Sequence, residues 1–318
     1  MAIRFSATGA SSILLCIAVA ACAAPTDSPS PRDPSAPAGT SARGPSRSAS
    51  SEAYQFTTAG GSDVYKCHGG KCRLCIQVSS FCRNLGTGPS GKGPNSGPAG
   101  LIAVATFDQA VLILDQDCNK TRTLNDTGFL PNDVKFGPDG SIAVTNEYSY
   151  SYGAGNIYFY PPGSIYHNRV ATGLFESFMF GAFDKSGNFY NDGIAQSGAT
   201  GIGVVPSGSS ADKPTGISGV IRPAGIDVAA DGIINIVDQA CPCIRRYRGS
   251  SHVGDIKLSG VEDPIAIALN KQNNRIWVTD AKAGKLYEYR YPAGGKPLAA
   301  IGGLQDNYGV GVLPAPEP

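Results

Sequence analysis

The chain has few of the residues that most enzymes and nucleic-acid-binding proteins need. Only three histidines occur in 318 residues, and 26 Lys and Arg residues balance 25 Asp and Glu residues. No basic block and no stripe of basic and aromatic residues is present, which gives a nucleic-acid partner no electrostatic support. A Ser-His-Asp order, a P-loop and a dinucleotide-binding glycine motif are absent too, so the sequence supports none of those enzyme classes.

Long apolar runs are also missing. The apolar run at Ile13 to Ala21 is too short for a stable membrane-spanning helix, which takes about 20 residues. It follows the single charge of Arg4, the arrangement of a secretory signal peptide. Residues 1–21 are therefore predicted to be removed from the mature protein.

The end of the apolar run, Val19-Ala20-Ala21-Cys22, resembles the bacterial lipobox, in which the Cys is lipidated and becomes the first residue. Two or three acyl chains would give the stable anchoring that one chain does not. Since Ala23 rather than Asp follows, the resemblance favours the outer membrane in a bacterium with two membranes. The alternative is an ordinary signal peptide cut near Ala21 or Ala24.

After Cys22 the chain is too polar to fold up to about Ser51. Pro, Ser, Ala and Gly dominate this stretch, and such a composition cannot bury enough apolar surface to offset the entropy of ordering. Residues 22–51 are predicted to form a lipidated, disordered tether on the exported side of the cell envelope.

The cysteines fit an exported protein. Seven of the nine remain beyond Cys22, and in an oxidising compartment disulfides are the expected state, with one Cys left over. A metal site at the first four is the alternative, although their spacing does not match a zinc ribbon. The spacings leave the pairing open, but a bridge closed within Cys72–Cys75 or Cys241–Cys243 would be strained and redox-labile. The seven are Cys67, Cys72, Cys75, Cys82, Cys118, Cys241 and Cys243.

A sequence unit recurs about every 42 to 46 residues. It runs from a Pro through an apolar strand, a turn rich in Gly or Asn and a second strand to an acidic or amide residue. This period predicts an all-β protein, a β-propeller with one four-stranded blade per repeat, over residues 99–318. The outermost strand of the second repeat is predicted at 215–221. The units lie at 131–146, 178–192, 223–238 and 264–280.

The two ends of the repeat region decide the number of blades. Residues 307–314 have the pattern of an innermost strand with nothing after it, and residues 100–124 that of the outer three strands of a blade. The simplest closure puts 308–313 beside 101–105 and gives five blades, with no edge left open. A sixth blade requires that the Cys-rich segment 52–98 forms strands over 54–82 that pair with the C-terminus.

The units at 131–146 and 223–238 resemble NHL-type blades and the regucalcin/gluconolactonase-like propellers. The resemblance covers about residues 100–313 and favours six blades. It also implies a central channel in which Glu, Asn and Asp hold a divalent cation such as Ca²⁺. Asn132 matches the family's Asn, but Ala224 stands at the Asp position and no Glu matches, so the implied metal site is incomplete.

Loops that lead into innermost strands share one face of a propeller with loops between second and third strands. An acidic ring further out, Asn146, Asp192, Asp238 and Asp280 with Asp108, could bind Ca²⁺, but hydrogen bonds within each turn explain the recurrence better. At the channel mouth on this face, the residues expected to bind a ligand are Asn132, Asp133, Glu176, Asp263 and Tyr308.

A Tyr-rich loop is expected on the same face. Tyr148, Tyr150 and Tyr152 alternate with Ser, a composition that gives rigid, amphipathic contact surface for a sugar, peptide or protein. An ordinary strand extension with Tyr on one face is the equal alternative. His167 and His252 fall in outer strands, away from the channel, where neither is placed as a general base.

The sequence therefore favours a lipid-anchored envelope propeller that acts as a non-enzymatic binding module. Its partners would be the membrane, through the lipid, and a protein, peptide or glycan. The alternative is a divalent-metal-dependent, lactonase-like hydrolase with a degenerate channel site.

Replacing Cys22 with Ala tests the anchor. The variant cannot be acylated at this position, so we expect it to leave the membrane fraction for the soluble fraction after cell fractionation and immunoblotting. A variant that stays with the membrane would show that the lipoprotein interpretation is wrong.

Overall fold

The described part of the protein consists of strands and connecting turns. The computed structural model describes residues 53–59, 63–68, 71–77, 82–87, 100–106, 110–125, 130–148, 153–304 and 308–314. Within these ranges no helix is long and apolar enough to cross a membrane. The predicted signal peptide, Cys22 and the tether at 22–51 lie outside the described residues.

The described strands form six four-stranded sheets, which we number as blades, each given from its innermost strand outwards. Blade 1 contains β24 (Val310–Pro314), β1 (Ala53–Ala59), β2 (Asp63–His68) and β3 (Lys71–Gln77). Blade 2 contains β4 (Cys82–Thr87), β5 (Ile102–Thr106), β6 (Ala110–Leu114) and β7 (Lys120–Asn125). Blade 3 contains β8 (Leu130–Phe136), β9 (Ile142–Glu147), β10 (Ile157–Tyr160) and β11 (Arg169–Ala171).

The other three blades follow in chain order. Blade 4 contains β12 (Ser177–Phe183), β13 (Phe189–Ile194), β14 (Thr200–Val205) and β15 (Lys213–Pro214). Blade 5 contains β16 (Pro223–Val228), β17 (Ile233–Asp238), β18 (Cys243–Arg248) and β19 (Ser251–Lys257). Blade 6 contains β20 (Pro264–Leu269), β21 (Arg275–Asp280), β22 (Lys285–Arg290) and β23 (Ala299–Gly302).

The six innermost strands form a closed ring. Each contacts the innermost strand of the next blade, in the order β24, β4, β8, β12, β16, β20 and back to β24. Within every sheet, neighbouring strands are antiparallel. The predicted all-β propeller of four-stranded blades is therefore confirmed.

The ring is closed by strands from both ends of the folded chain. β24 pairs with β1, from Ala53 opposite Pro314 to Thr57 opposite Val310. The expected pairing of 308–313 with 101–105 is wrong, because β4 at Cys82–Thr87 takes the place beside β5. The Cys-rich segment forms strands that pair with the C-terminus, as the six-blade alternative requires.

Each innermost strand from β4 to β20 carries a register shift against its partner near its first residues. A bulge of this kind bends the strand and redirects the side chains beside it. Close packing accompanies the bend: a Cβ on Gly225 would lie 2.7 Å from the Cα of Ala266, so only glycine lets β16 approach β20 here. The innermost strands from β4 to β20 are therefore bent near their first residues, and β16 lies close to β20.

The core lies between the facing surfaces of neighbouring blades. Strands of each blade contribute aliphatic and aromatic side chains, and Trp277 is 3% exposed in the contact between blade 6 and blade 1. Tyr247 and Tyr289 are fully buried but direct their hydroxyl groups to the carbonyl oxygens of Ser218 and Ser259. Burial of the rings is therefore not opposed by an unpaired hydroxyl.

Three disulfides are present among the described residues, which confirms the predicted disulfide state. Cys67–Cys72 lies in the β2–β3 hairpin, Cys75–Cys118 joins blade 1 to the β6–β7 turn of blade 2, and Cys241–Cys243 closes on itself. The Cys72–Cys75 bridge that the spacing allowed does not form. The side chain of Cys82 lies outside what the structure describes.

Removing the interblade bridge should cost more stability than removing the hairpin bridge. By the chain-entropy relation, a loop with a sequence separation of 43 stabilises the fold by about 4 kcal/mol, and one with a separation of 5 by about 2 kcal/mol. We expect this difference between Cys75→Ser/Cys118→Ser and the matched control Cys67→Ser/Cys72→Ser in urea unfolding. Equal losses would contradict a role for the interblade bridge in holding the first two blades together.

Candidate functional site

One face of the propeller, which we call the loop face, carries the loops into the innermost strands and the loops between second and third strands. Two of its recurring acids anchor these loops. Asp238 accepts hydrogen bonds from the backbone N–H groups of Ile221 and Arg222 at 3.2 and 3.0 Å, and from Arg245 Nε at 2.7 Å. Asp280 accepts from the N–H groups of Glu262 and Asp263 at 2.8 and 3.2 Å.

The other recurring residues also form internal hydrogen bonds. Asn146 donates from Nδ2 to Oδ1 of Asn156 at 2.8 Å, and Asp192 accepts from the N–H of Phe180 at 2.6 Å. These bonds give the recurring Asp or Asn a structural role within its own blade. Asp108, the fifth residue of the proposed ring, lies outside the described residues.

Asn132, the residue that matches the lactonase-like family, is 8% exposed. Its Nδ2 donates to the carbonyl oxygen of Met179 on β12 at 2.7 Å, and Oγ1 of Thr145 donates to the same oxygen at 2.7 Å. The amide is thus held by the neighbouring blade.

Asp133 also connects neighbouring blades. Its Oδ2 accepts from the N–H of Gly181 on β12 at 3.0 Å, and Nζ of Lys135 lies 3.3 Å from its Oδ1. Two blades further on, Oδ2 of Asp227 accepts from the N–H of Leu269 on β20 at 2.7 Å. In both cases a carboxylate on one innermost strand binds the backbone of the next.

Desolvation dominates the titration of these acids. It raises the pKa of Asp133, against the opposing effect of Lys135, and it raises the pKa of Asp227 to about 6. The pKa of Asp192 is raised well above its usual value, first by burial and further by the charge of Asp133. Burial of the charged form therefore outweighs the hydrogen bonds that these carboxylates accept.

Side chains on the loop face form a hydrogen-bonded connection from blade 5 to blade 6. Nη2 of Arg222 donates to Oε1 of Gln239 at 3.2 Å, and Nε2 of Gln239 donates to Oδ1 of Asp263 at 3.1 Å. Beside it, Nζ of Lys282 lies 2.8 Å from Oε2 of Glu262. Burial raises the pKa of Asp263, and the positive charge of Arg222 opposes this.

Two exposed apolar side chains continue this surface onto blade 4. Ile221 is 65% exposed and Ile194 is 39% exposed. Thr200 lies between them, since it pairs with Ile194 across the strands and its Oγ1 is 3.5 Å from the carbonyl oxygen of Ile221. We call the whole surface the loop-face row: Ile194, Ile221, Arg222, Gln239, Glu262, Asp263 and Lys282.

Two more of the predicted residues lie next to this row. The backbone N–H of Glu176 donates to the carbonyl oxygen of Ile194 at 2.8 Å, and the N–H of Tyr148 donates to Oγ of Ser177 at 2.8 Å. Tyr308 is half-buried just before β24. Tyr150 and Tyr152 lie outside the described residues, so ligand binding by the Tyr-rich loop stays a prediction.

The histidines lie away from the loop-face row. His167 stacks on Tyr158 at 3.9 Å between ring centroids, in the connection from β10 to β11. His252 is on the outermost strand β19, where its Nε2 is 2.7 Å from Oδ1 of Asp255. Both rings therefore lie on outer parts of their blades, away from the innermost strands that carry Asn132 and Asp133.

Most residues of the loop-face row were not predicted from the sequence. Arg222, Gln239 and Ile221 each occur in one repeat only, so no periodic signal marked them. Their positions, directly before an innermost strand or directly after a second strand, were the available signal. Asp227 and Lys135 were missed for the same reason.

The residues present do not fit the divalent cation that the resemblance implies. In the described ranges, no three His, Cys, Asp or Glu side chains are grouped so that they could hold a metal ion. The Asn132 amide is engaged by Met179, and Ala224 puts a buried methyl group at the position of the family's Asp.

The comparisons with known proteins agree with the fold. No family model matches the chain, and no curated protein matches it in sequence. A solved chain from the nidogen/laminin complex is similar with a TM-score of 0.66 at 12% identity, over 82% of this chain and 98% of that one. A putative TolB from Agrobacterium tumefaciens has a TM-score of 0.59 at 16% identity, over 84% and 99%.

A gluconolactonase from Xanthomonas campestris has a TM-score of 0.52 at 15% identity, over 69% of this chain and 76% of that one. At these identities the three comparisons show a shared β-propeller fold.

Asp227 should make stability fall as pH rises. Its raised pKa means that the native state keeps the proton between about pH 4 and 6, whereas the unfolded chain loses it. The free energy of unfolding therefore falls as the pH rises through that window and falls no further, on account of Asp227, above about pH 6. We expect Asp227→Asn to raise the free energy of unfolding at pH 7.5 by up to about 3 kcal/mol, and hardly at all at pH 4. Urea unfolding at both pH values measures this.

Asp231→Asn, an exposed acid in the adjacent β16–β17 turn, is the matched control for the loss of one negative charge. A gain for Asp227→Asn of the same size at pH 4 and pH 7.5 would refute the raised pKa.

Proposed function

We propose that this chain is a lipid-anchored, non-enzymatic binding module of the bacterial cell envelope, and that the loop-face row binds a protein. The observation that carries the proposal is the composition of the row. Exposed Ile221 directly precedes Arg222. Exposed Ile194 lies across Thr200 from Ile221, and charged side chains continue the row. Protein interfaces combine an apolar centre with a polar rim, and Arg is among the residues that contribute most to binding.

The row is also held in place before any partner binds. Asp238 fixes the backbone of Ile221 and Arg222, and Asp280 fixes that of Asp263. Gln239 then bridges Arg222 and Asp263 across two blades. A surface ordered in this way loses little conformational entropy on association, which favours binding.

The charges indicate what kind of partner fits. Lys282 is ion-paired with Glu262, and Asp263 is bonded to Gln239, so Arg222, exposed beside Ile221, is the cation of the row that has no ion pair among the described residues. A partner that presents an apolar side chain next to a carboxylate would match both features. The structural similarity to a chain from the complex of nidogen with laminin is in keeping with a protein-binding propeller.

Attachment to the membrane through Cys22 belongs to the same proposal. A tether at 22–51 would let the loop face reach a partner at a distance from the bilayer. For the anchor, Cys16→Ala is the matched control of Cys22→Ala, because Cys16 would leave with the signal peptide.

The hydrolase alternative has no observation in its favour beyond the shared fold and Asn132. A metal-dependent site would raise the melting temperature, since a cation at a hundred times its Kd adds about 2.7 kcal/mol of stability. We expect the same melting temperature with Ca²⁺ and with a chelator. A Ca²⁺-dependent rise that Asn132→Ala abolishes would contradict the binding-module proposal.

A photo-crosslinking amino acid at position 221 tests the binding surface directly in intact cells. We expect a discrete covalent adduct from position 221 and none from position 231, which lies in a turn on the opposite face. In that background, Arg222→Ala should lower the adduct yield about tenfold or more, as expected for an interface Arg. The matched control is Arg248→Ala, at the other end of blade 5, which should keep the yield.

The same adduct from both positions, or full yield in Arg222→Ala, would overturn the assignment of the loop-face row.

A further inference from the structure

The Cys241–Cys243 disulfide lies in the loop between β17 and β18, on the loop face. Its two cysteines differ in accessibility, since Cys241 is exposed and Cys243 is 5% exposed. The four cysteines of the other two bridges are all buried or half-buried. A thiolate from solvent therefore reaches the Cys241 sulfur more readily than any other disulfide sulfur among the described residues.

This bridge also contributes least to folding. Its cysteines are 2 positions apart in sequence, against 5 and 43 for the other bridges. Stabilisation by a disulfide grows with the loop it closes, so opening this one costs the fold least. Because β18 pairs with both β17 and β19, the blade stays held when the bridge is open.

A lysine lies next to Cys243. Lys257 on β19 is its direct cross-strand partner, whereas Arg245, two residues along β18, is ion-paired with Asp238, the partner of Cys243 on β17. A nearby cation without a paired carboxylate stabilises a thiolate, so Lys257 favours Cys243 as the leaving group.

We propose that Cys241–Cys243 is a thiol–disulfide exchange site that an external dithiol reductant opens. One thiolate of the dithiol attacks Cys241 Sγ, forms a mixed disulfide with it and displaces Cys243 as a thiolate. The second thiol of the reductant, once deprotonated, attacks the reductant's sulfur in the mixed disulfide and releases the Cys241 thiolate. The reductant leaves as an intramolecular disulfide. The Cys241–Cys243 bridge gains two electrons in total, and its two sulfurs take up the two protons that the dithiol has lost.

A monothiol gives a different result. After its attack on Cys241, the released Cys243 thiolate is only two residues away and attacks the mixed disulfide in return. This return attack restores the bridge and expels the monothiol, unless a second monothiol molecule attacks the mixed disulfide first. A monothiol therefore reduces the bridge less efficiently than a dithiol, whose second thiol is already in place.

The exchange site is next to the loop-face row. The N–H of Cys241 donates to the carbonyl oxygen of Asp238 at 3.2 Å, and the Cys241 sulfur lies 3.4 Å from the same oxygen. Gln239, which connects Arg222 to Asp263, belongs to the same loop. Opening the bridge would free this loop, but the exchange chemistry itself does not rest on the proposed function.

Reduction under native conditions tests the proposal. The full chain carrying Cys82→Ser is incubated with dithiothreitol as the dithiol or with glutathione as the monothiol, and is then alkylated and analysed by peptide mass spectrometry. With dithiothreitol we expect Cys241 and Cys243 to be alkylated at least about tenfold faster than Cys75 and Cys118 while the circular dichroism spectrum stays native. With glutathione at the same thiol concentration we expect little net alkylation.

Charge variants test the role of the lysine. Lys257→Gln should slow the opening of Cys241–Cys243 by about twofold to tenfold, because the departing thiolate loses a positive neighbour. Lys271→Gln, in the β20–β21 turn on the opposite face, is the matched control and should leave the rate unchanged.

Two results would overturn the proposal. One is that Cys241–Cys243 opens no faster than Cys75–Cys118, or only as the protein unfolds. The other is that glutathione reduces it as completely as dithiothreitol does.

Discussion

The fold depends on the backbone pairing of β24 with β1. This pairing joins the two ends of the folded chain, and each blade needs a neighbour on both sides to bury its two faces. With β24 in place, the innermost strands of blades 6 and 2 both gain a partner, and the ring has no open gap. The apolar packing between blades and the geometry of the loop face rely on this closure.

Within the ring, polar groups fix neighbouring blades against each other. Asn132 and Asp133 bind the backbone of β12 from β8, and Asp227 binds that of β20 from β16. These bonds are directional, unlike apolar packing, so they set the relative position of adjacent strands. The raised pKa values of the two acids show that this precision carries an electrostatic cost. The same bonds help to position the loop face, because the loops into the innermost strands end where these strands begin.

The sequence predicted the repeating part of the fold well and the rest poorly. Repetition revealed the paired strands of blades 3 to 6, since each copy reinforced the others. β4 was missed because a Gly- and Pro-rich segment separates Cys82–Thr87 from β5. The strand expected at 215–221 lies at Lys213–Pro214 instead. Ile217 and Val220 pack against the core from an irregular segment, whereas Ile221 is exposed. The apolar residues at 215–221 therefore did not indicate a strand.

The use of residues 310–314 as the innermost strand of blade 1 has a consequence for biogenesis. A ribosome makes β1 long before β24, so the blade cannot be completed until synthesis has passed residue 314. Until then the chain keeps an unpaired strand edge and an unfinished ring. A protein built in this way keeps its ring open until its C-terminal strand has been made.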